Sequence, residues 1–207
     1  MSERIQTAID KAMNGESGLS NRIRIEAQSS SKVRMFLNNL CNCPGTRYLE
    51  IGVWRGSTFV SALYGNEDNV DVAVAIDTCE GLPDHKPGPF LEACEKYLRE
   101  GSYTFIHDDA FKVNPGSLPG PFNVYFFDGP HDELSQYRAF SRYNRVLTDT
   151  FIAIVDDWNH PAAKTGTRKV FEDLCYDVEW EVELPATKNG DLSNWWNGLY
   201  VALVSKG

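Results

Sequence analysis

The stretch "NVYFFDGPHDELSQYRAFSRYNRVLTDTFIAIVDD" (residues 123–157) holds two apolar runs, and each ends in carboxylates. Val124-Tyr125-Phe126-Phe127 runs into Asp128-Gly129-Pro130-His131, and Phe151-Ile152-Ala153-Ile154-Val155 runs into Asp156-Asp157. Both runs are continuous rather than alternating, the pattern of a strand buried on both faces. Residues 132–147 between them read as an amphipathic helix. Strand, helix, strand with buried strands is the repeating unit of a parallel sheet. If the two strands are neighbours, three aspartates meet at one edge of it.

The same alternation extends in both directions. Strands are predicted at 47–53, 70–77, 103–109, 123–128 and 151–157, with helices at 57–65, 89–100, 132–147 and 166–175. The tail departs from the pattern: 177–184 and 198–205 are two strands with no helix between, hence antiparallel neighbours at one end of the sheet. Ahead of the first strand lie a polar helix near 2–13, a loop at "NGESG", and a helix at 29–41. That second helix has Val33, Phe36, Leu37 and Leu40 at helical spacing, serines as its cap and "CPGT" as its stop. The expected fold is an α/β, doubly wound, mostly parallel seven-stranded sheet with an antiparallel C-terminal hairpin. One domain covers 1–207, with a helical segment (1–45) and a core (46–205).

With 207 residues, 42% of them apolar, the chain is long enough for one buried core. A net charge of −9 argues against a nucleic-acid backbone as partner, although Arg22, Arg24 and Arg34 leave room for a local basic patch. No apolar run approaches the ~20 residues of a membrane span. The N-terminus lacks the apolar centre of a secretion signal and is too acidic for a transit peptide, so a cytoplasmic protein with no membrane partner is expected. The five cysteines, Cys41, Cys43, Cys79, Cys94 and Cys175, have no paired metal spacing and read as reduced structural thiols.

Open α/β sheets bind ligands beyond the carboxyl ends of their strands. The first such end, "YLEIGVWRGST", offers Glu50, Gly52, Gly56, Ser57 and Thr58. Trp54 stands where a dinucleotide fingerprint needs its middle glycine, so the turn does not suit a pyrophosphate. The hydroxyls of Ser57 and Thr58 at the helix start suit a single carboxylate, and Glu50 an ammonium.

Here the sequence resembles the class I S-adenosylmethionine-dependent methyltransferases, whose fold is Rossmann-like and whose first motif has the form acidic-x-Gly-x-x-x-Gly. Glu50, Gly52 and Gly56 match it. The resemblance runs over about residues 46–205. It implies that Asp77, ending the second strand, holds the ribose hydroxyls, and that Asp109 lies near the adenine. Glu50 on a backbone amide and Asp77 as a helix cap are the structural alternatives.

Three carboxylates at one edge repel one another and raise at least one pKa unless a cation is bound. Mg²⁺ takes oxygen ligands and keeps open positions for water or substrate, which suits Asp128, Asp156 and Asp157. The arrangement resembles metal-dependent small-molecule O-methyltransferases of the catechol and of the macrolide- and aminocoumarin-sugar types, and the Asp-Gly-x-His form resembles uncharacterised bacterial methyltransferase domains. In the catechol enzymes a lysine stands three residues after the first Asp. This chain has His131 there, as base, substrate-orienting group, metal ligand or helix cap. Alternatively the trio caps loops, or Asp128 serves a metal-free enzyme as its base.

Transfer of a methyl group from S-adenosylmethionine to a hydroxyl of a small acceptor, a sugar, diol or catechol, is the reaction these features imply. Trp195 and Trp196, in the polar loop 188–198, either contact that acceptor or staple the hairpin to the sheet. The N-terminal segment either covers the site or forms a homo-oligomer contact. His85, His107 and His160 are expected in loops or at the surface rather than as ligands. The rival readings are a nucleotide-cofactor oxidoreductase and a non-catalytic protein that kept the fold.

Overall fold

The computed structural model describes residues 1–20 and 23–207. Arg22, one of the three arginines considered for a basic patch, lies outside the described residues. Two helices come first, α1 (Ser2–Met13) and α2 (Ser31–Cys41). Ser30 caps α2, its hydroxyl accepting from the Val33 amide. Strands and helices then alternate, save that β4 follows β3 with only a 3₁₀ turn between: β1 (Thr46–Ile51), α3 (Ser57–Leu63), β2 (Val70–Asp77), α4 (Gly88–Tyr97), β3 (Thr104–His107), β4 (Phe122–Phe127), α5 (Glu133–Tyr143), β5 (Leu147–Val155) and α6 (Pro161–Asp173). The antiparallel pair β6 (Tyr176–Leu184) and β7 (Leu199–Lys206) closes the chain.

The sheet has seven strands in the order β3-β2-β1-β4-β5-β7-β6, as the expected architecture requires. Strands β1 to β5 run parallel, and β7 lies antiparallel between β5 and β6. The order reverses between β1 and β4, so the crevice outside their carboxyl ends is the switch point where such sheets bind ligands.

Side-chain alternation divides the core into two layers. In β4, Val124 and Phe126 face the layer covered by α1 to α4, while Tyr125 and Phe127 face the layer under α5 and α6. All four are fully buried, each contributing about 1.5–3 kcal/mol by leaving water. The apolar face of α1, Ile5, Ala8, Ile9 and Ala12, is buried within the same chain, where α1 packs on α2.

Several boundaries differ from expectation, among them the end of α5, at Tyr143 rather than 147, and both ends of β3, Thr104–His107 rather than 103–109. Helix α6 starts at Pro161 rather than at 166. Proline fits the first turn, where its missing N–H has no intrahelical use. Gly166, the first residue of the expected helix, is in mid-helix, where α5 presses against it: a Cβ there would stand 2.4 Å from the Glu133 carbonyl oxygen. Strand β5 begins at Leu147, four residues early, after a 3₁₀ turn at Asn144–Val146. Among the described residues no helix is long and apolar enough to cross a membrane.

Candidate active site

Two adjoining cavities open at the switch point. The larger, about 680 Å³, is lined by Ile51, Gly52, Asp77, Asp109, Phe111 and Asp128, among others. The smaller, about 320 Å³, is lined by Gln28, Trp54, Ser57, Thr58, His131, Asp156, Asp157, Trp196 and Asn197. Gly52, Asp77, Asp128, Gly129 and Pro130 line both, so the two form one crevice.

The turn after β1 sets the shape of that crevice. Gly52 has φ +86°, and a Cβ there would meet the Asp128 carbonyl oxygen at 1.9 Å. Only glycine allows the two strand ends to come so close. Asp77 holds the turn from the other side. Its Oδ2 accepts from the Val53 and Trp54 amides at 2.6 and 2.8 Å, and its Oδ1 from the Cys79 amide at 2.5 Å. Asp77 is thus a loop clamp rather than a helix cap, and it still faces both cavities. Three backbone donors leave about one of the four acceptor positions of a carboxylate open.

Glu50 differs from the expectation of an ammonium partner. It is fully buried and lines neither cavity. Tyr48 donates to its Oε2 and Thr58 to its Oε1, both at 2.5 Å. Burial pushes its carboxyl up to about 8, against the lowering effect of the two hydroxyls. Gly56, at φ +83°, forms the left-handed N-cap of α3, packs on Phe90 and lines neither cavity. Asp109 lies on the wall of the larger cavity, its Oδ1 accepting from the Phe111 amide.

Asp128, Asp156 and Asp157 do converge: one oxygen from each can be chosen so that all lie within 4.8 Å of one another. Parallel pairing of β4 with β5 aligns Phe127 with Val155, which brings the residues that follow into register. Burial, and after it the Asp156 and Asp157 charges, push the Asp128 carboxyl well above the usual range. Burial and then Asp157 do the same to Asp156. Asp156 Oδ1 is buried and has no hydrogen-bond partner among the described residues.

Asp157 is held on both oxygens. Asn197 donates to Oδ1 at 2.5 Å, and His131 Nδ1 lies 2.9 Å from Oδ2. That bond raises the His131 pKa, against a lowering by burial. The cap of α5 is Asp132, whose side chain accepts from the Ser135 amide, so His131 does not cap that helix. Asn197 was missed by sequence reasoning, since an asparagine in the loop "NWWNG" carries no signal of what it faces. Its neighbours divide: Trp196 lines the smaller cavity, whereas Trp195 is buried edge-on against Phe36 at 6.3 Å and lines neither cavity. Trp54, Asp157 and Trp196 all have positive φ and all line the smaller cavity, a concentration of backbone strain expected where function demands it.

The N-terminal segment supplies one wall. Gln28 lines the smaller cavity, the Ser29 and Ser57 hydroxyls lie 3.2 Å apart, and Glu26 pairs with Arg55 at 3.1 Å. His107 contacts the Thr78 carbonyl and borders the larger cavity, and His160 packs 6.1 Å from the His131 ring.

This geometry has relatives. A family model described as "Methyltransferase domain" matches residues 49–158, more than half of the chain. The chain belongs to that family and is a class I S-adenosylmethionine-dependent methyltransferase. Among solved structures it is similar to the SAH-bound Podospora anserina methyltransferase PaMTH1, at 14% identity over 100% of this chain and 89% of that one, with a TM-score of 0.64. Cofactor-bound Rv0187 from MTB is similar at 17% identity over 98% and 90%, TM-score 0.63. A Staphylococcus aureus protein provisionally named a caffeoyl-CoA O-methyltransferase is similar at 14% identity over 98% and 92%, TM-score 0.60. At these identities the likeness is one of fold. A comparison with curated proteins finds no match.

Proposed function

We propose that this single-domain enzyme methylates a hydroxyl of a small molecule, a sugar, diol or catechol-like acceptor, and that Asp128, Asp156 and Asp157 hold a divalent cation, Mg²⁺ in particular. The observation that carries the proposal is the aspartate trio itself. Three buried or partly buried carboxylates share one small space, two with raised pKa values, and one oxygen has no partner. An oxygen-only donor set of that kind fits a hard cation. Such an ion, when bound, lowers the pKa of a hydroxyl and orients it.

The chain's own residues divide the remaining work. The larger cavity suits the nucleoside half of S-adenosylmethionine: Asp77 offers its open acceptor position to a ribose hydroxyl, and Asp109 lies toward the base. Ser57 and Thr58 lie toward the amino-acid end. Glu50 acts through packing, by fixing Thr58. Methyl transfer needs the acceptor oxygen about 3 Å from the methyl carbon and in line with the departing sulfur. Trp54, Trp196 and Gln28 form the walls that would hold an acceptor there. His131, committed through Nδ1 to Asp157, orients that carboxylate and offers its other nitrogen to the acceptor.

A second reading has its own support. Burial raises the Asp128 carboxyl, which makes its ionised form a stronger base, as a metal-free methyltransferase requires. Calorimetry with Mg²⁺ in the presence of S-adenosylhomocysteine, and methyl transfer to catechol and sugar acceptors with and without EDTA, separate the two. The metal reading expects saturable heats and turnover abolished by chelator. At 100 times Kd the ion adds about 2.7 kcal/mol, roughly 5–11 °C in Tm for a chain of this size, and Asp156→Asn removes that gain. Turnover indifferent to EDTA in a protein that gives no Mg²⁺ heat would transfer the proton to Asp128 alone.

A further inference from the structure

Beyond the aspartate trio, the last turns of α5 and the 3₁₀ turn after it carry a second concentration of charge. Arg138, Arg142 and Arg145 line a groove of about 520 Å³ together with Phe111, Asn114, Pro115 and Ser141. We propose that this groove is an anion site that takes a phosphate group, alone or on a larger molecule.

Three observations carry it. First, the arginines are unspent. In a chain of net charge −9, none of the three makes an ion pair among the described residues. Each guanidinium has five N–H donors. Arg142 uses Nη2 on the Val113 carbonyl at 2.6 Å, Arg145 uses Nη2 on Asn114 Oδ1 at 2.6 Å, and Arg138 lies 5.3 Å over the Phe111 ring. Second, Arg142 Nε is buried with no partner among the described residues, a state that leaves a charged donor uncompensated and that an acceptor oxygen would relieve. Third, the three follow one another along the chain's surface: Arg138 and Arg142 lie one four-residue step apart on α5, and Arg145 follows three residues on, in the 3₁₀ turn after it, with all three on the same groove. Planar guanidinium forks recognise phosphate oxygens in pairs, and several forks on one face suit a group with several anionic oxygens.

The groove is connected to the enzyme's crevice. Phe111 lines both the groove and the larger cavity, and Ser135, one step earlier on the same helical face, lines that cavity too. By helical rise, Ser135 and Arg145 are about 15 Å apart. The groove shares a wall residue with the larger cavity, which suits the cofactor's nucleoside half, and none with the smaller one, where the acceptor walls lie, so a phosphate in the groove belongs to a separate effector.

The test titrates pyrophosphate into the full-length protein saturated with S-adenosylhomocysteine, with ionic strength matched by chloride. Arg138→Gln/Arg145→Gln alters two exposed side chains and is expected to melt as the parent does. Lys188→Gln removes a positive charge from an exposed loop elsewhere. Saturable binding that weakens at least tenfold in the double variant and stays unchanged in Lys188→Gln supports the site. Heats that never saturate, or an equal affinity in parent and double variant, overturn it.

Discussion

Replacing Glu50 with Gln should change how stability depends on pH, and the structure gives both the sign and the size. The unfolded carboxyl titrates near 4.5 and the folded one near 8. Between those values the folded chain keeps a proton that the unfolded chain has lost. Stability attributable to Glu50 is therefore full below pH 4.5 and falls as pH rises, until the folded group has also ionised above pH 8. The difference, 8 − 4.5 = 3.5 units, corresponds at 1.36 kcal/mol per unit to an upper bound on the order of 5 kcal/mol. Glutamine has nearly the same shape and cannot ionise. Its carbonyl accepts from one of the Tyr48 and Thr58 hydroxyls, and its amide donates to the other. Asp128 and Asp156 contribute a pH slope of the same sign, but they are present in both proteins and largely cancel in the comparison. Urea unfolding at pH 5, 7 and 9 is the assay. The stability of Glu50→Gln minus that of the parent should rise by several kcal/mol across the series, the variant gaining most at pH 9. Parallel curves would mean that Glu50 ionises alike in both states and that its burial against two hydroxyls is misread.

Gly52→Ala should destabilise by on the order of 3 kcal/mol, combining the 1–2 kcal/mol of a left-handed backbone with overlap against a carbonyl that cannot rotate away. Thermal melting should show a loss of about 6–12 °C for a chain of this length, and a change under 2 °C would refute the close approach. Asn197→Ala should leave Asp157 Oδ1 unpaired, lowering kcat with little effect on S-adenosylhomocysteine affinity by calorimetry, whereas Asn197→Asp, which adds a carboxylate beside Asp157, should lower it further. Unchanged kcat in both variants would remove Asn197 from the site.

The contrast between Asp128 and Asn197 shows which parts of the site a sequence can carry. Asp128, Asp156 and Asp157 were legible because an uninterrupted apolar run fixes a strand, parallel pairing fixes which end of it faces the crevice, and the residue after the last apolar one must emerge there. The fold was legible for the same reason: period, continuity and the missing helix before β7 are properties of local runs. What each acid meets after it emerges depends on loops that return from far along the chain. Asn197 reaches Asp157 across 40 residues, and Asp77 reaches Val53 and Trp54 across 24 and 23, with no periodicity to announce either contact. Trp195 and Trp196 are the sharpest case. They are adjacent and identical, yet a left-handed φ of 57° at Trp196 sends one ring to the cavity wall while its neighbour packs on Phe36.

Glu50 makes the same point from the opposite side. Its place at the end of β1 was clear, and an acid at a strand end invites a ligand. Tyr48, two residues earlier on the same face of the strand, supplies a hydroxyl beneath it, and Thr58 supplies one from the first turn of α3. Both partners were in plain sight in "RYLEIGVWRGST", but their meeting depends on how tightly the turn from Gly52 to Gly56 folds back. That turn is held by Asp77 from β2 and by the contact of Gly52 with Asp128 from β4. The chemistry of Glu50 is thus decided by the packing of three strand ends. A change at any of them, not only at Glu50, should move its titration.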